Sequence, residues 1–366
     1  MRLVSAIVCL SILFLALAGA GCGDATGPVR PSGLTGTWLG GFSAADTTGT
    51  LSLHLDSADA VRGELVLRLE PATILGEDFL VRGTLTGQAL RLELDTARVP
   101  YQFTLTMTAL VGEDGGLTGT LTCPSAALAV PFTARKLTTG ALREERSVNI
   151  PEDVLSIVHD DGRLWLATGD NDYVRLDGQG AVQDTVAVIY GDAHWTSGAL
   201  TTAGDRLLGF LPRVVTVGGH ARAVSAMFEF DEAGIAREFN LPHRTNGLAR
   251  DGGAYWSLAA GTRRLYRFDL TGAVLDSLDT DLPDACHLEF DGASFWTISW
   301  YTLRLYELDT AGHAVAVYEP PVQEPHGFAA GLAFDGQRLW YAHSPGPHLT
   351  RLLQLSRGAA RSTGTS

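Results

Sequence analysis

A chain of 366 residues with a formal charge of −14 has room for two domains, each with an ordinary apolar core. Its cations are 26 arginines and one lysine, Lys136, with no basic run longer than a dipeptide after the N-terminus. That distribution excludes nucleic acid as a partner, because phosphate binding needs a concentrated positive footprint, and the summed negative charge favours solubility.

Met1 to Cys22 reads as an export signal: Arg2, an apolar run from Leu3 to Ala18, then Gly19-Ala20-Gly21-Cys22. The run is short and its flanks are small, which argues against a spanning helix. The segment resembles a bacterial lipoprotein signal, which implies that Cys22 carries lipid and becomes the new N-terminus. Membrane contact is then expected only through that anchor, at the bacterial cell envelope. Ordinary cleavage after Ala18 or Ala20 stays open, and would give a secreted or periplasmic soluble protein. After processing, Cys123 and Cys286 remain and are read as two buried free thiols, so the fold must stand on its core. Residues 23–33, with Pro28 and Pro31, have the composition of a flexible tether.

Residues 34–137 alternate apolar and polar positions in short runs such as Leu51-Ser-Leu-His-Leu55 and Leu90-Arg-Leu-Glu-Leu94. Eight strands are predicted, at 36–43, 49–56, 61–69, 79–86, 88–95, 102–110, 117–122 and 128–136. Eight sequential antiparallel strands close most simply as a small up-and-down barrel. The opening Gly33-Leu-Thr-Gly-Thr-Trp38 resembles the first strand of the calycins, the lipocalin and avidin group. The resemblance implies that Trp38 plugs one barrel end. No second tryptophan follows before Trp165, so a ligand pocket is not implied and a side-chain-filled interior is expected.

Residues 138–357 repeat one pattern. The clearest copies are Gly247-Leu-Ala-Arg-Asp-Gly-Gly-Ala-Tyr-Trp256, Leu288-Glu-Phe-Asp-Gly-Ala-Ser-Phe-Trp296 and Gly331-Leu-Ala-Phe-Asp-Gly-Gln-Arg-Leu-Trp340. Trp165, Leu208, Trp256, Trp296 and Trp340 take equivalent places at intervals of 43, 48, 40 and 44 residues, a period of β-propeller blades. The all-β expectation is thus an eight-stranded barrel followed by a five-bladed propeller, with residues 358–366 as a disordered tail. The last repeat lacks a fourth strand, which residues 143–150 are expected to supply.

Up-and-down order within a blade puts the fourth-to-first and second-to-third connections on one face. That face is predicted to gather His194, Trp195, Arg213, His243, Asn246, Arg263, His287, Trp300, Tyr301 and His326 around the channel mouth. Four of these are histidines in successive connections, a residue type suited to metal or proton transfer. Polar loop residues more often satisfy backbone groups at strand ends, and no H-E-x-x-H, C-x-x-C or compact Asp-x-Asp run supports a metal. No metal and no cofactor is expected. The tryptophans are read as packing between sheets, and the Asp-Gly pairs as tight turns.

The repeats resemble bacterial extracytoplasmic propellers of the streptogramin lyase-like and quinoprotein-like groups, and distantly the five-bladed glutamine cyclotransferases. The cyclotransferases place a Glu soon after the second-strand aromatic. Here the stretches are Trp165-Leu-Ala-Thr, Trp256-Ser-Leu-Ala, Trp296-Thr-Ile-Ser and Trp340-Tyr-Ala-His, without that acid. The expectation is therefore non-catalytic binding of a peptide, glycan or protein at the mouth. The alternative is a lyase or cyclotransferase with His287 or His326 as acid or base.

Overall fold

The computed structural model describes residues 34–44, 47–57, 61–70, 77–95, 104–124, 128–169, 172–187, 189–190, 193–194, 198–217, 220–320 and 327–358. The signal, Cys22, the tether, Trp195, His326 and residues 359–366 lie outside them.

Eight strands form a closed antiparallel barrel: β1 (Gly36–Ala44), β2 (Thr47–Ser57), β3 (Val61–Glu70), β4 (Glu77–Thr86), β5 (Ala89–Asp95), β6 (Thr106–Val111), β7 (Leu117–Cys123) and β8 (Leu128–Lys136). Closure is the pairing of β1 with β8, from Trp38↔Lys136 to Phe42↔Phe132. Period-two alternation sends Leu51, Leu53, Leu55, Leu65, Val81 and Leu92 inward, where they pack with Trp38, Phe42, Met107 and Phe132. Trp38 is wholly buried and its indole N–H donates to the Gly115 carbonyl at 2.8 Å. Cys123 and Cys286 are both free and buried.

Leu137 leads into a long strand, β9 (Thr138–Ile150), and then into four-stranded antiparallel sheets. The first is β10 (Val154–Asp160), β11 (Arg163–Thr168), β12 (Tyr173–Leu176) and β13 (Val182–Val186). A two-stranded hairpin, β14 (Ile189–Tyr190) and β15 (Ala193–His194), precedes β16 (Leu200–Ala203), β17 (Arg206–Val217), β18 (His220–Asp231) and β19 (Gly234–Leu241). Then come β20 (Thr245–Asp251), β21 (Ala254–Ala259), β22 (Arg264–Phe268) and β23 (Val274–Asp279). The remaining strands, β24 (Ala285–Phe290), β25 (Phe295–Ser299), β26 (Leu305–Leu308), β27 (Ala314–Glu319), β28 (Phe328–Phe334), β29 (Leu339–Gly346) and β30 (Leu349–Arg357), join β9 in one eight-stranded sheet.

That sheet has two halves, β24–β27 and β28–β29–β30–β9, and β9 holds them together. Its residues 142–150 pair antiparallel with β30, the partner expected from the sequence. Its first residues, Thr138 to Ala141, pair in parallel with β27, which the sequence reading did not anticipate. The first strands touch in a closed cycle, β10 to β16 to β20 to β24 to β28 and back to β10. One apolar cluster joins each neighbouring pair of these sheets. The arrangement is propeller-like.

Register shows that the repeats are equivalent residue by residue. Val158↔Trp165, Thr201↔Leu208, Ala249↔Trp256, Glu289↔Trp296 and Ala333↔Trp340 occupy the same place between first and second strands. The first strands pack so closely that glycine is required in two of them. A Cβ on Gly247 would lie 2.6 Å from the His287 carbonyl carbon, and one on Gly331 2.9 Å from the Ile157 nitrogen.

The barrel is fastened to the sheets by charge and packing. Arg304, buried, sits between Glu64 of β3 at 2.7 Å and Glu319 at 2.6 Å. Arg135 of β8 reaches Asp281 at 2.7 Å and donates to the Ala314 carbonyl at 2.6 Å. Arg68 donates to the carbonyls of Pro283 and Gly261. Leu39, from the outer face of β1, joins Leu137 in the cluster around Trp256 and Phe295.

Two outcomes follow from this packing. Gly247→Ala is expected to cost about 1–3 kcal/mol in urea unfolding because backbone must move. Gly253→Ala, whose Cβ meets nothing within 4 Å, is expected to be neutral or stabilising by up to about 1 kcal/mol. Glu289 stands where its equivalents are alanine, valine or threonine, and burial pushes its carboxyl up to about 8. Between its ordinary value of 4.5 and about 8 the folded chain holds a proton that the unfolded chain has released, so stability falls as pH rises. Glu289→Ala should therefore gain Tm over the parent as pH is raised from 5 to 9 in thermal unfolding; a constant gap would contradict it.

Candidate functional site

Successive strands within each four-stranded sheet are antiparallel, so the second-to-third connection of a sheet lies at the end where its first strand begins. The opposite end holds the tight turns. At that end Asp291 and Asp335 each use one carboxylate oxygen to accept backbone N–H groups of the turn. The other oxygen accepts the indole N–H of Trp296 at 2.8 Å and of Trp340 at 3.1 Å. In these two repeats the Asp-Gly turn and the tryptophan five residues later are thus one structural unit.

At the connection-bearing end, the expected residues fall into separate roles. His194 ends β15, in the connection leading to β16. The long second-to-third connection of the second sheet is a β-ribbon: β17 and β18 stay paired from Leu211↔Ala226 out to Val217↔His220, beyond the last pair with β19 at Ser225↔Leu241. Arg213 lies within it and pairs with Glu238 at 2.7 Å. Arg263 donates to the Thr280 carbonyl at 3.0 Å. It lines a cleft of about 560 Å³ against the barrel, together with Arg135, Asp281, His313 and Asp114. Arg263 therefore faces the barrel joint.

Asn246 and His287 do not lie in connections, as the sequence had suggested, but inside first strands. The reason is a β-bulge near the start of each. Register shifts fall between Val154 and Ser156, Thr245 and Gly247, Cys286 and Glu289, and Ala329 and Gly331. The inserted residue leaves the ladder and its side chain is re-aimed. Asn246 Nδ2 reaches the Ala285 carbonyl at 3.5 Å, and His287 donates from Nε2 to the Ala329 carbonyl at 3.1 Å. Each links its own first strand to the next one in the cycle. His287 takes a left-handed φ of 54° to do so.

His243 remains in its connection. Its ring stacks on Tyr266 with centroids 4.2 Å apart, and Nε2 lies 2.8 Å from Ser257 Oγ. Nδ1 is buried without a partner among the described residues. Burial lowers both His243 and His287 to about 4. Both rings are neutral at pH 7, so their stabilisation is full above about 6.5 and is lost as pH falls toward 4.

Trp300 and Tyr301 are adjacent exposed aromatics, at 57% and 38% exposure. Their loop is fixed by Asp284, a residue the sequence reading passed over. The Asp284 carboxylate accepts from Ser299 Oγ and from the Tyr301 N–H at 3.1 Å, and its carbonyl accepts the Trp300 N–H at 3.0 Å. Thr302 and Leu303 both return hydrogen bonds to Ser299. Burial raises the Asp284 pKa, opposed by the hydrogen bonds it accepts. No signal in the local sequence separates this aspartate from the turn aspartates. Among the described residues, no group of three His, Cys, Asp or Glu side chains is placed to hold a metal ion.

No protein-family model and no curated protein matches the chain. Several solved structures are similar to the chain. Glutaminyl cyclase from Myxococcus xanthus is 14% identical with a TM-score of 0.42, over 61% of this chain and 100% of that one. BamB from Moraxella catarrhalis is 13% identical with a TM-score of 0.30, over 89% and 98%. The WD40 β-propeller domain of Doa1 is 12% identical with a TM-score of 0.32, over 85% and 91%. At these values the likenesses carry no argument about activity or ligand.

In proton NMR, the ring resonances of His243 and His287 should stay still from pH 8 to 5.5 and move only on approach to pH 4. A midpoint near 6.5 for either would contradict the burial described above.

Proposed function

We propose that this chain is a binding or scaffold protein of a bacterial envelope, held there by lipid on Cys22. In this reading a calycin-like barrel sits next to the anchor and a five-bladed propeller follows it. The connection-bearing face of the propeller takes a peptide, glycan or protein partner. The observation that carries the reading is the Trp300–Tyr301 pair, exposed yet held by the hydrogen bonds of Asp284 and Ser299. Aromatic side chains presented on a rigid loop supply contact area at low ordering cost, which is the character of binding hot spots. The β-ribbon beyond β19 offers a second projecting element, with Val214 70% exposed.

The five-bladed count is supported by the closed cycle of first strands and by β9 completing the last sheet. Non-catalytic binding is favoured over acid–base chemistry at His287 because that ring is buried and its Nε2 is committed to a backbone carbonyl. No cofactor is invoked.

Quantitative pull-down from an envelope fraction tests the reading. The Trp300→Ala/Tyr301→Ala variant should lose the captured partner, with affinity about 30-fold weaker, while its thermal unfolding stays unchanged. Equal capture by parent and variant would reject this face as the binding surface.

A further inference from the structure

The outer wall of the barrel carries a feature that the proposed propeller site does not use. Arg62 of β3 is directly opposite Arg82 of β4, and Arg82 is in turn opposite Glu93 of β5. Arg91 follows one outward position along, opposite Thr84. Their neighbours Val61, Val81, Leu90 and Leu92 point into the core, so alternation sends all four charged side chains outward. Together they line an open depression of about 390 Å³ over Gly83 and Thr84.

Like charges directly opposite each other across a sheet are destabilising. Several other arginines of this chain are neutralised: Arg135, Arg175, Arg206, Arg264, Arg304 and Arg351 each have a carboxylate close by. Arg62 and Arg82 make no ion pair with a described residue. The nearest acid in the depression, Glu93, lies 3.5 Å from Arg91. In a chain of charge −14, Arg62 and Arg82 set two unneutralised guanidinium groups side by side on one concave surface.

We infer that Arg62 and Arg82, with Arg91 at the margin, form a binding site for a phosphate-type oxyanion. Two planar guanidinium forks facing one space suit a tetrahedral anion, which accepts from both and removes their mutual repulsion. The position gives the site a setting. Gly36 pairs with Leu55 and Leu55 with Gly63, so Arg62 is one residue from the row in which β1 begins. The site therefore lies at the barrel end where the described chain starts. Phosphate there comes either as free phosphate or as the headgroup of an anionic phospholipid, and both share the chemistry.

The test uses the full chain, with inorganic phosphate and with vesicles of phosphatidylglycerol or phosphatidylcholine as probes. Phosphate should raise Tm over chloride at equal ionic strength, and the apparent Kd should weaken about tenfold for each arginine removed in Arg62→Gln and Arg82→Gln. Arg143→Gln, exposed on β9, serves as a control that keeps the response. Circular dichroism confirms that the double variant is folded. Co-sedimentation with phosphatidylglycerol beyond that with phosphatidylcholine, lost in the double variant, assigns the site to a lipid headgroup. A phosphate response without that vesicle difference assigns it to soluble phosphate. Absence of both responses, or either one unchanged in the double variant, overturns the proposal.

Discussion

The pairing of β9 with β30 is the constraint on which the molecule rests. It joins strands about two hundred residues apart in the chain, from Thr350↔Ile150 to Arg357↔Leu142. Side chains reinforce it: Arg351 bonds Glu144, and Ser356 Oγ donates to Glu145 at 2.6 Å. Because the β9 N-terminus also lies in parallel against β27, one strand seals two sheets at once. Such a contact is slow to find, since loop closure must precede it, yet once made it hides the edges of both halves.

The same strand dictates where the barrel sits. Only Leu137 separates β8 from β9, and its N–H donates to the Thr37 carbonyl at 2.8 Å. The barrel is thus set against the sheets near Arg304, Tyr306 and Asp281, where Arg304 is held between two carboxylates and Ser52 Oγ meets the Tyr306 hydroxyl. A guanidinium this buried is tolerable because both acids and their hydrogen bonds replace its water. The joint also draws Arg263 to the barrel cleft, away from the aromatic loop.

The ring's own device is the repeated bulge. Each inserted residue near the start of a first strand is free of the ladder, and the chain puts it to structural use at two positions. Asn246 and His287 reach the backbone of the next first strand, while Gly247 and Gly331, just beyond, allow the strands to approach. Strand-end polar groups are thereby satisfied within the ring. The loop that Asp284 braces presents Trp300 and Tyr301 to solvent.

Local pattern alone determined the eight barrel strands, their order and the equivalence of Trp165, Leu208, Trp256, Trp296 and Trp340, because alternation and turn chemistry are properties of neighbouring residues. It also located the strand that would complete the last sheet, since the final repeat ended one strand short. Tertiary structure decided the rest. Whether a histidine in a given segment stands in a loop or in a bulge depends on register, and register depends on what the neighbouring strand packs against. Asp284 and Arg304 look like any surface charge in the chain. They acquire their roles only from partners such as Ser299 and Glu64, which folding brings to them from other strands.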